Sequence, residues 1–576
     1  MAALKIENLI TDHLDLWTAA VRPKSSAGRG SNSKLELTGI KKLRELILEL
    51  AVRGKLVPQD PSDEPASVLL ERIATEKTRL VKEKKIKKSK ALPEIGEEEK
   101  LFELPDGWEW CRLSDIAFPQ AGFAFKSNGF NEHGEGIPLI RIRDVGQVFS
   151  GTYYNGEYKP EFVVMRGEYL ISMDGNFRVA PWSGSEALLN QRVTRLIFFF
   201  EKTAKRFIAE SLQLRLISLQ GVKAYTTVDH LSGGQIAESV IAIPPLAEQH
   251  RIVAKVDDLM TLCDQLELRS ESQSAAHQTL VETLLATLTD SSDADELVQS
   301  WARLSTHFDT LFTTEASIDA LKQTILQLAV MGKLVPQDPS DEPASVLLER
   351  IAAEKAQLVK EGKIKKQKPQ SVLTEEEKAF ELPNGWKWVR LQQLVTLLGD
   401  GLHGTPSYDE NGDYFFVNGN NLDNGRITIK PDTKRVNKLE FEKYKKNLTD
   451  RTILVSINGS LGKVGFYAGE KIVLGKSACY FNLSGLLSKV YFKRVIESSY
   501  FTDYAFSKAT GSTIKNLGLK AMNEFPIALP PIEEMKRIIS RIEQLIALCD
   551  QLKVRLQTNQ QTQLALAESL VEGALA

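Results

Sequence analysis

The chain has 576 residues, of which 42% are apolar and 26% are charged, and its formal net charge is −2. This is the composition of an ordinary globular protein with room for several domains, and the overall charge does not indicate a nucleic-acid partner. Four cysteines without CxxC or Cys/His spacing exclude a disulfide framework and a structural zinc site. The charged N-terminal segment and the lack of a membrane-length apolar run exclude a secretory signal peptide and predict a cytoplasmic protein that does not contact membranes.

Residues 1–100 predict a helical frame. The run ILELAVRGKLVP has the pattern of a helix that ends at Gly54, and Pro65 stands at the first turn of a second helix. A lysine tract follows the second predicted helix. Such a tract is typical of a solvated linker, with phosphate contact as an alternative. The tract comprises Lys82, Lys84, Lys85, Lys87 and Lys88.

Residues 101–245 follow as a first insert. Short β-rich runs at Ile137–Ile142, Tyr169–Met173 and Leu196–Phe200 are separated by segments that contain Gly and Asn. This pattern predicts a mixed α/β or mostly β globular domain.

A long central helix is predicted over residues 246–290. It follows the pair Pro244-Pro245, and proline is tolerated before or at a first helical turn. Its apolar residues are spaced four and three apart, as in a heptad seam. The seam residues are Ile252, Val256, Leu259, Cys263 and Leu266.

The second half repeats this plan. Residues 291–378 are predicted to form a linker and a second frame, in which Lys333–Lys355 differs from Lys55–Lys77 only by Ala353 in place of Thr75. A period this long indicates two domain-sized halves and excludes a solenoid of short repeats.

A second insert spans residues 379–530, and a C-terminal long helix spans 531–576. The two matched helices predict an antiparallel pair that buries its seams against each other. The expected fold class is therefore α+β, with two mixed α/β domains joined by two long antiparallel helices in a pseudo-twofold arrangement. The second seam consists of Ile538, Ile542, Leu545, Cys549 and Leu552.

The frames are nearly identical, whereas the inserts barely match. This contrast predicts that the frames bind the same partner twice and that the inserts bind two different things. Residues 379–532 carry 20 Lys and Arg against 14 Asp and Glu, which fits a phosphate-backbone partner. Residues 101–246 carry 14 against 16, so the first insert would need to gather its positive charge on one face.

No catalytic constellation is recognisable. Leu474–Ser477 reads LGKS, like the end of a phosphate-binding loop, but Glu470 stands where that loop needs a glycine. A methyltransferase signature, a GxGxxG after a strand and an HExxH motif are all missing from the sequence. We therefore expect no catalytic residue and no metal site in this chain.

Three motifs carry a resemblance that covers essentially the whole chain. They are LP-x-GW-x-W at Leu104–Trp110 and Leu382–Trp388, TGSTIKNL at Thr510–Leu517, and the IPPLAEQ-type exit into each long helix. On these motifs the chain resembles the specificity subunits of type I restriction–modification enzymes.

The resemblance implies two target-recognition domains that each read one half of an interrupted DNA sequence, with the helices setting the gap. It also implies that two methyltransferase subunits dock on the repeated frames and that two motor-nuclease subunits complete the restriction enzyme. S-adenosylmethionine, ATP and Mg would then bind those partner subunits, and this chain would bind no cofactor.

Base discrimination needs forked donors and amides, such as Arg on guanine and Asn or Gln on adenine. Two loops that present such groups align between the halves: residues 140–144 with 417–421, and 172–176 with 456–460. The candidate DNA contacts of the first insert are Arg141, Arg143, Asn176, Arg178, Asn190, Gln191 and Arg192. The candidates of the second insert are Asn418, Asn420, Asn421, Asn458, Ser460, Lys463, Lys476, Ser477, Thr513 and Lys515.

The first insert departs from the family pattern in one segment. Opposite Thr510–Leu517 it has Ala224–Leu231, in which only the Thr and Leu frame is kept, so contact residues do not transfer one for one. Two other functions stay open on the sequence. One is a nuclease or methyltransferase with an undetected site, and the other is a helical scaffold whose inserts bind proteins.

Overall fold

The chain folds into two compact units, of which the first comprises residues 1–272 and 559–576 and the second residues 273–558. Each unit therefore contains one frame, one insert and part of both long helices. The computed structural model describes residues 6–23, 35–86, 92–219, 231–291, 294–368 and 371–575.

The frame of the first unit is helical, as predicted. Gly54 has φ +67°, and the N–H of Lys55 donates to the carbonyl of Leu50 at 2.9 Å, so the C′ glycine is confirmed. A side chain at Gly54 would also meet Pro105 and Trp108 at the start of the insert. The elements are α1 (Ile6–Asp12), α2 (Leu14–Ala19), β1 (Arg22–Pro23), β2 (Leu35–Glu36), α3 (Thr38–Val52) and α4 (Ala66–Lys82).

The first insert contains short strands and a few helices. In chain order these are β3 (Glu109–Arg112), α5 (Leu113–Ile116), β4 (Ala117–Ala121), β5 (Phe130–Asn131), β6 (Ile137–Ile140), β7 (Tyr153–Tyr154), β8 (Val163–Val164), β9 (Tyr169–Ser172), β10 (Val179–Pro181), β11 (Ala187–Leu189), β12 (Val193–Phe198), α6 (Lys205–Leu219), α7 (Gly233–Glu238) and β13 (Val240–Ile243).

Two sheets form the body of the first insert. Their strand orders are β10-β9-β12-β4 and β5-β7-β6-β11-β8, and β6 and β11 are parallel neighbours. Strands β3 and β13 pair antiparallel, so the chain enters and leaves the insert side by side. After β13 comes the long helix α8 (Leu246–Asp290), whose 45 residues begin directly after the predicted proline pair.

The second unit repeats the architecture of the first. Its frame contains one helix that the sequence did not predict, α9, which lies in the segment expected to be a linker. The frame elements are α9 (Ala294–Thr306), α10 (Phe308–Leu311), α11 (Glu315–Val330) and α12 (Ala344–Lys360).

The second insert again places a parallel strand pair beside an antiparallel sheet. The elements are β14 (Lys387–Arg390), α13 (Leu391–Leu394), β15 (Val395–Asp400), β16 (Tyr414–Val417), β17 (Leu422–Asp423), β18 (Arg426–Ile427), β19 (Arg435–Val436), α14 (Lys438–Tyr444), β20 (Thr452–Ser456), β21 (Val464–Phe466), β22 (Ile472–Leu474), β23 (Ala478–Leu483), α15 (Lys489–Glu497), α16 (Ser499–Lys508), α17 (Leu519–Glu524) and β24 (Pro526–Leu529).

The sheets of the second insert have strand orders β15-β23-β20-β21 and β19-β16-β22, with β16 and β22 parallel. Strands β14 and β24 pair antiparallel at the entry and exit, like β3 and β13. The chain then continues into α18 (Ile532–Leu575), which has 44 residues. Mixed α/β inserts and two long helices confirm the predicted α+β class.

The two seams are buried, but not against each other as predicted: each seam packs against a frame helix and against the far end of the other long helix. In the first unit, the seam from Ile252 to Leu266 shares one hydrophobic cluster with α3 and with the last turns of α18. In the second unit, Ile538 and Ile542 cluster with α11, while Leu545, Cys549 and Leu552 cluster with α11 and the last turns of α8. Among the described residues, neither seam shares a cluster with the other seam.

Polar contacts also connect each long helix to its frame helix. Arg44 of α3 binds Asp264 at 2.7 Å and Glu267 at 2.9 Å on α8. On α18, Lys553 binds Asp319 of α11 at 2.9 Å, and Gln557 donates to Glu315 at 2.9 Å. Residue numbers run in opposite directions along the α11–α18 contact, so those two helices are antiparallel. A heptad spacing reports an apolar face but does not select the helix that covers it.

All four cysteines are buried thiols, so Cys263 and Cys549 are small apolar core residues of the two seams. Over the ranges that the structure describes, no helix is both long and apolar enough to cross a membrane.

Candidate DNA interface

Three loops of the first insert meet at one edge, which we call the first loop edge (residues 141–150, 173–178 and 190–192). Because β6 and β11 run parallel, Arg141 and Asn190 emerge next to each other at the ends of these strands. Strand β12 pairs with β9, and the N–H of Met173 donates to the carbonyl of Arg192 at 3.1 Å. The structure therefore brings together all three predicted clusters of this insert.

Internal hydrogen bonds fix the backbone of the first loop edge. The buried carboxylate of Asp144 accepts the N–H of Arg141 at 2.7 Å and the N–H of Ser150 at 2.8 Å. The hydroxyl of Ser172 accepts the N–H of Arg178 at 2.9 Å. Outward side chains on such loops are presented from defined positions, as a recognition surface requires.

The candidate side chains of the first loop edge differ in availability. The guanidinium of Arg143 donates to Ser150 at 2.8 Å and to Thr152 at 3.2 Å, and Arg192 forms an ion pair with Asp174 at 3.1 Å. An arginine has five N–H donors, so a fork held by two of them still has donors to offer a ligand. Arg178 is half-buried, and the exposed candidates are Arg141, Arg143, Asn176, Gln191 and Arg192.

The second insert has a corresponding second loop edge (residues 418–421, 457–463, 475–477 and 510–516). The hydroxyl of Ser477 donates to the side-chain oxygen of Asn418 at 2.9 Å and accepts the N–H of Gly419 at 2.8 Å. The N–H of Ile457 donates to the carbonyl of Ser477 at 2.9 Å. These bonds tie together the loops that follow β16, β20 and β22.

The TGSTIKNL run forms a loop of this same edge. The backbones of Thr510 and Asn516 exchange two hydrogen bonds, at 2.9 and 2.8 Å, and the N–H of Gly459 donates to the carbonyl of Lys515 at 3.0 Å. The half-buried candidates are Asn418, Asn458, Ser477 and Lys515. The exposed candidates are Asn420, Ser460, Lys463, Lys476 and Thr513.

Two candidates need correction, because they are buried. Asn421 is 4% exposed; its side-chain oxygen accepts the N–H of Asn418 at 3.0 Å, and its amide donates to Thr428 and Thr433, both at 3.0 Å. Both ends of this side chain therefore hold the loop, a role that Asp144 has in the first insert. Asn190 is also buried, and its turn supports the edge.

A buried junction connects the first insert to its frame and to α8. The indole N–H of Trp108 donates to one carboxylate oxygen of Glu248 at 3.1 Å, and the amide of Gln59 donates to the other at 3.2 Å. Beside them Arg251 of α8 forms an ion pair with Asp63. Glu248 is only 1% exposed, and burial raises its pKa above the ordinary range.

The second unit contains the same junction in the same chemistry. Glu534 accepts the indole N–H of Trp386 at 2.9 Å and the amide of Gln337 at 2.9 Å, and burial raises its pKa as well. Arg537 binds Asp341 at 2.6 Å. The two units thus differ at their loop edges but not where insert, frame and long helix meet.

The family model of the type I restriction modification DNA specificity domain matches residues 105–273 and again residues 383–560. Each match spans an insert and the start of the long helix after it. Two specificity subunits from Escherichia coli, those of the type I restriction enzymes EcoEI and EcoAI, are each 42% identical to this chain. Both alignments cover 99% of this chain and 100% of the relative.

The chain belongs to the specificity subunits of type I restriction–modification enzymes. Among solved structures it is similar to the HsdS subunit from Thermoanaerobacter tengcongensis, at 16% identity and a TM-score of 0.34, over 83% of this chain and 98% of that one. As a specificity subunit, the chain is a DNA-recognition component and does not itself catalyse a reaction.

The geometry of the LGKS segment agrees with this role. In this specificity subunit Gly475–Ser477 form the turn between β22 and β23, so no helix begins there that could direct its N–H groups at a phosphate. Ser477 instead bonds within the second loop edge.

Sequence reasoning missed one segment of each loop edge, the loop that follows β4 or β15. The signal was a glycine at the end of a strand, at Gly122 and Gly401, which the β-rich pattern alone does not make specific. The segment Ala224–His230 and the lysines Lys87 and Lys88 lie outside the described residues, so the predictions made for them stay predictions.

Proposed function

We propose that each insert of this specificity subunit reads one half of a bipartite DNA site. The observation that carries the proposal is that the two loop edges follow corresponding strands of the two inserts but present different side chains. Position 141 offers a guanidinium in the first insert, and the aligned position 418 offers an amide in the second. Two different half-sites require equivalent positions with different chemistry.

The side chains at the edges have the chemistry of base and phosphate contacts. Arg141, Gln191 and Arg192 supply forked donors and an amide, which suit guanine and adenine in the major groove. Lys463 and Lys476 are point charges, which suit phosphates. Arg141 and the amides are therefore expected to choose the sequence, and the lysines to supply affinity that depends on salt.

The repeated junctions support a second part of the proposal. Lys55–Lys77 and Lys333–Lys355 differ at one position, and the same buried Trp, Gln and Glu join insert, frame and long helix in both units. A partner that binds one frame is therefore expected to find an equivalent surface on the other. We expect two methyltransferase subunits at the two frames and two motor-nuclease subunits in the full enzyme, acting in the cytoplasm. S-adenosylmethionine, ATP and Mg would bind those subunits.

The long helices are expected to set the distance between the half-sites. Half-site centres about 34–36 Å apart face the same side of the double helix. A helix of 45 residues is about 68 Å long, which is sufficient to hold two domains at that separation.

The experiment is adenine-methylation mapping in cells that contain this chain and its methyltransferase partner, followed by binding to a duplex with the mapped site. A bipartite site with an unspecific gap is expected. Inserting five base pairs in the gap rotates one half-site by about half a turn and should abolish binding, whereas changing the bases of the gap should not. Equal affinity for the lengthened site would contradict the proposal.

Two variants, one in each insert, distinguish the contributions of the inserts. Arg141→Ala should relax recognition at one position of one half-site, by about 1–3 kcal/mol of discrimination. Asn420→Ala should act only on the other half-site. If both variants weakened binding equally on every DNA sequence, the two side chains would be backbone contacts. If the chain with its partner showed no salt-dependent affinity for DNA, inserts that bind proteins would be favoured instead.

A further inference from the structure

A glycine places one more residue at the first loop edge. Beyond the end of β4, a Cβ on Gly122 would lie 2.1 Å from the carbonyl oxygen of Asn190, which no side chain tolerates. The next residue, Phe123, donates its N–H to the carbonyl of Leu189 at 2.9 Å. The close approach therefore fixes Phe123 beside the turn that contains the candidates Gln191 and Arg192.

In the second insert a glycine makes the same close approach, but a different side chain follows it. A Cβ on Gly401 would lie 2.2 Å from the carbonyl oxygen of Gly475, and the N–H of Leu402 donates to the carbonyl of Leu474 at 2.7 Å. Leu402 is half-buried, whereas His403 after it is exposed and bound to Asp400. An exposed ring at this position is thus a feature of the first insert.

The ring of Phe123 packs against other aromatic rings but stays partly exposed to solvent. It packs against Phe125 and Phe162, each with ring centroids 5.2 Å away, and Phe125 in turn packs against Tyr154 at 4.9 Å. Nevertheless 41% of Phe123 is exposed. Braced in this way, the ring loses little conformational freedom when it contacts a ligand, as a rigid anchor should.

We propose that Phe123 determines specificity by packing its exposed side chain against the C5-methyl group of a thymine in the half-site read by the first insert. The inference rests on the proposed function and identifies one contact between the first insert and its half-site. Apolar side chains read thymine in the major groove through this methyl group. Insertion between base pairs is disfavoured, because two rings hold Phe123 from behind and less than half of it is free.

The experiment removes the methyl group and the ring in turn. The full chain with its methyltransferase partner is titrated with duplexes of the mapped site in which single thymines are replaced by uracil. For the wild-type chain, one replacement in the first half-site should weaken binding about 3- to 5-fold, the effect of losing one buried methyl group. Phe123→Ala should bind the thymine and uracil duplexes equally, at the level of the weakened complex.

Two further variants provide controls for this comparison of thymine and uracil duplexes. Val148, which is 92% exposed on the same loop edge, supplies the matched apolar control: Val148→Ala should keep the full uracil effect. Phe123→Leu keeps an apolar side chain of smaller reach and should show a reduced effect. It also tests the contact if melting shows that Phe123→Ala destabilises the first unit.

The outcomes separate the two levels of the argument. A uracil effect that persists in Phe123→Ala, that disappears in Val148→Ala, or that no thymine of the first half-site shows in the wild type would overturn the inference and leave bipartite recognition intact. If the wild-type complex recognises no bipartite site, the proposed function fails, and this contact fails with it.

Discussion

Replacing Trp108 by Phe tests the junction that ties the first insert to its long helix. The change removes the indole N–H that reaches the buried carboxylate of Glu248 at 3.1 Å, and it leaves Gln59 as the other donor. A hydrogen bond to a charged group contributes about 1.5–3 kcal/mol to stability, and the smaller ring leaves a gap that costs about 1 kcal/mol more. We therefore expect a loss of about 3 kcal/mol in the first unit.

Differential scanning calorimetry is the suitable assay. At about 2–4 °C per kcal/mol, the transition of the first unit should fall by roughly 6–12 °C at pH 7. Hydrogen exchange should rise in β3 and β13 but not in the second unit, and Trp386→Phe should produce the mirror-image result. As the pH is lowered and Glu248 becomes protonated, the difference from the wild type should shrink, because a neutral hydrogen bond contributes only about 1 kcal/mol.

Three results would refute this reasoning. An unchanged transition at pH 7 would show that the indole bond contributes no net stability. An equal loss at all pH values would assign the effect to packing alone. Faster exchange in both units would show that the junction does not stabilise the first unit alone.

Further predictions concern titration, burial and exposure. Because burial raises the pKa of Glu248 above its ordinary value of 4.5, its stabilising contribution is full below that pH and falls as pH rises through the raised pKa; Glu248→Gln should flatten this part of a calorimetric pH series. Arg112→Met should cost about 2–3 kcal/mol and expose residues 92–100 to proteolysis, because the buried guanidinium holds both carboxylate oxygens of Glu99 at 3.0 Å. Asn421→Ala should lower the melting temperature without changing the methylated sequence, whereas Lys476→Ala should leave the melting temperature unchanged and weaken DNA binding with a smaller salt slope.

The sequence predicted those features that depend on local patterns. Gly54 at a helix end, the long helices after their proline pairs and the short strands of both inserts follow from turn chemistry and periodicity. The other long helix was predicted as a partner of each seam, but the frame helix that also covers it was not, because an apolar spacing such as that from Ile252 to Leu266 is the same whichever helix covers it.

The candidate interface was predicted at the level of loops but not of every side chain. Parallel strands bring the right loops together, and their polar residues mark them in the sequence. Whether an amide such as Asn421 faces outward or caps its own turn is decided by three-dimensional partners, among them Thr433, that sequence spacing does not reveal. Phe123 was missed because a single aromatic residue in a strand-rich segment is typical of a core.

The first unit is completed by a distant segment of the chain, residues 559–576. Lys55 donates to the carbonyl of Leu575 at 2.9 Å, Lys42 binds Glu568 at 3.3 Å, and the apolar end of α18 closes the cluster around α3 and α8. During synthesis, at about 5–20 residues per second, residues 1–272 wait roughly 15–60 s for residues 559–576 to appear.

The second unit, by contrast, consists of the continuous residues 273–558. Its synthesis starts later than that of the first unit, but it is complete first. Until residues 559–576 have been made, the part of the α3 and α8 cluster that Leu564, Ala567 and Ala574 cover lacks this cover. A chain that is cut off before residue 559 would therefore be damaged in the half of the protein that is encoded first.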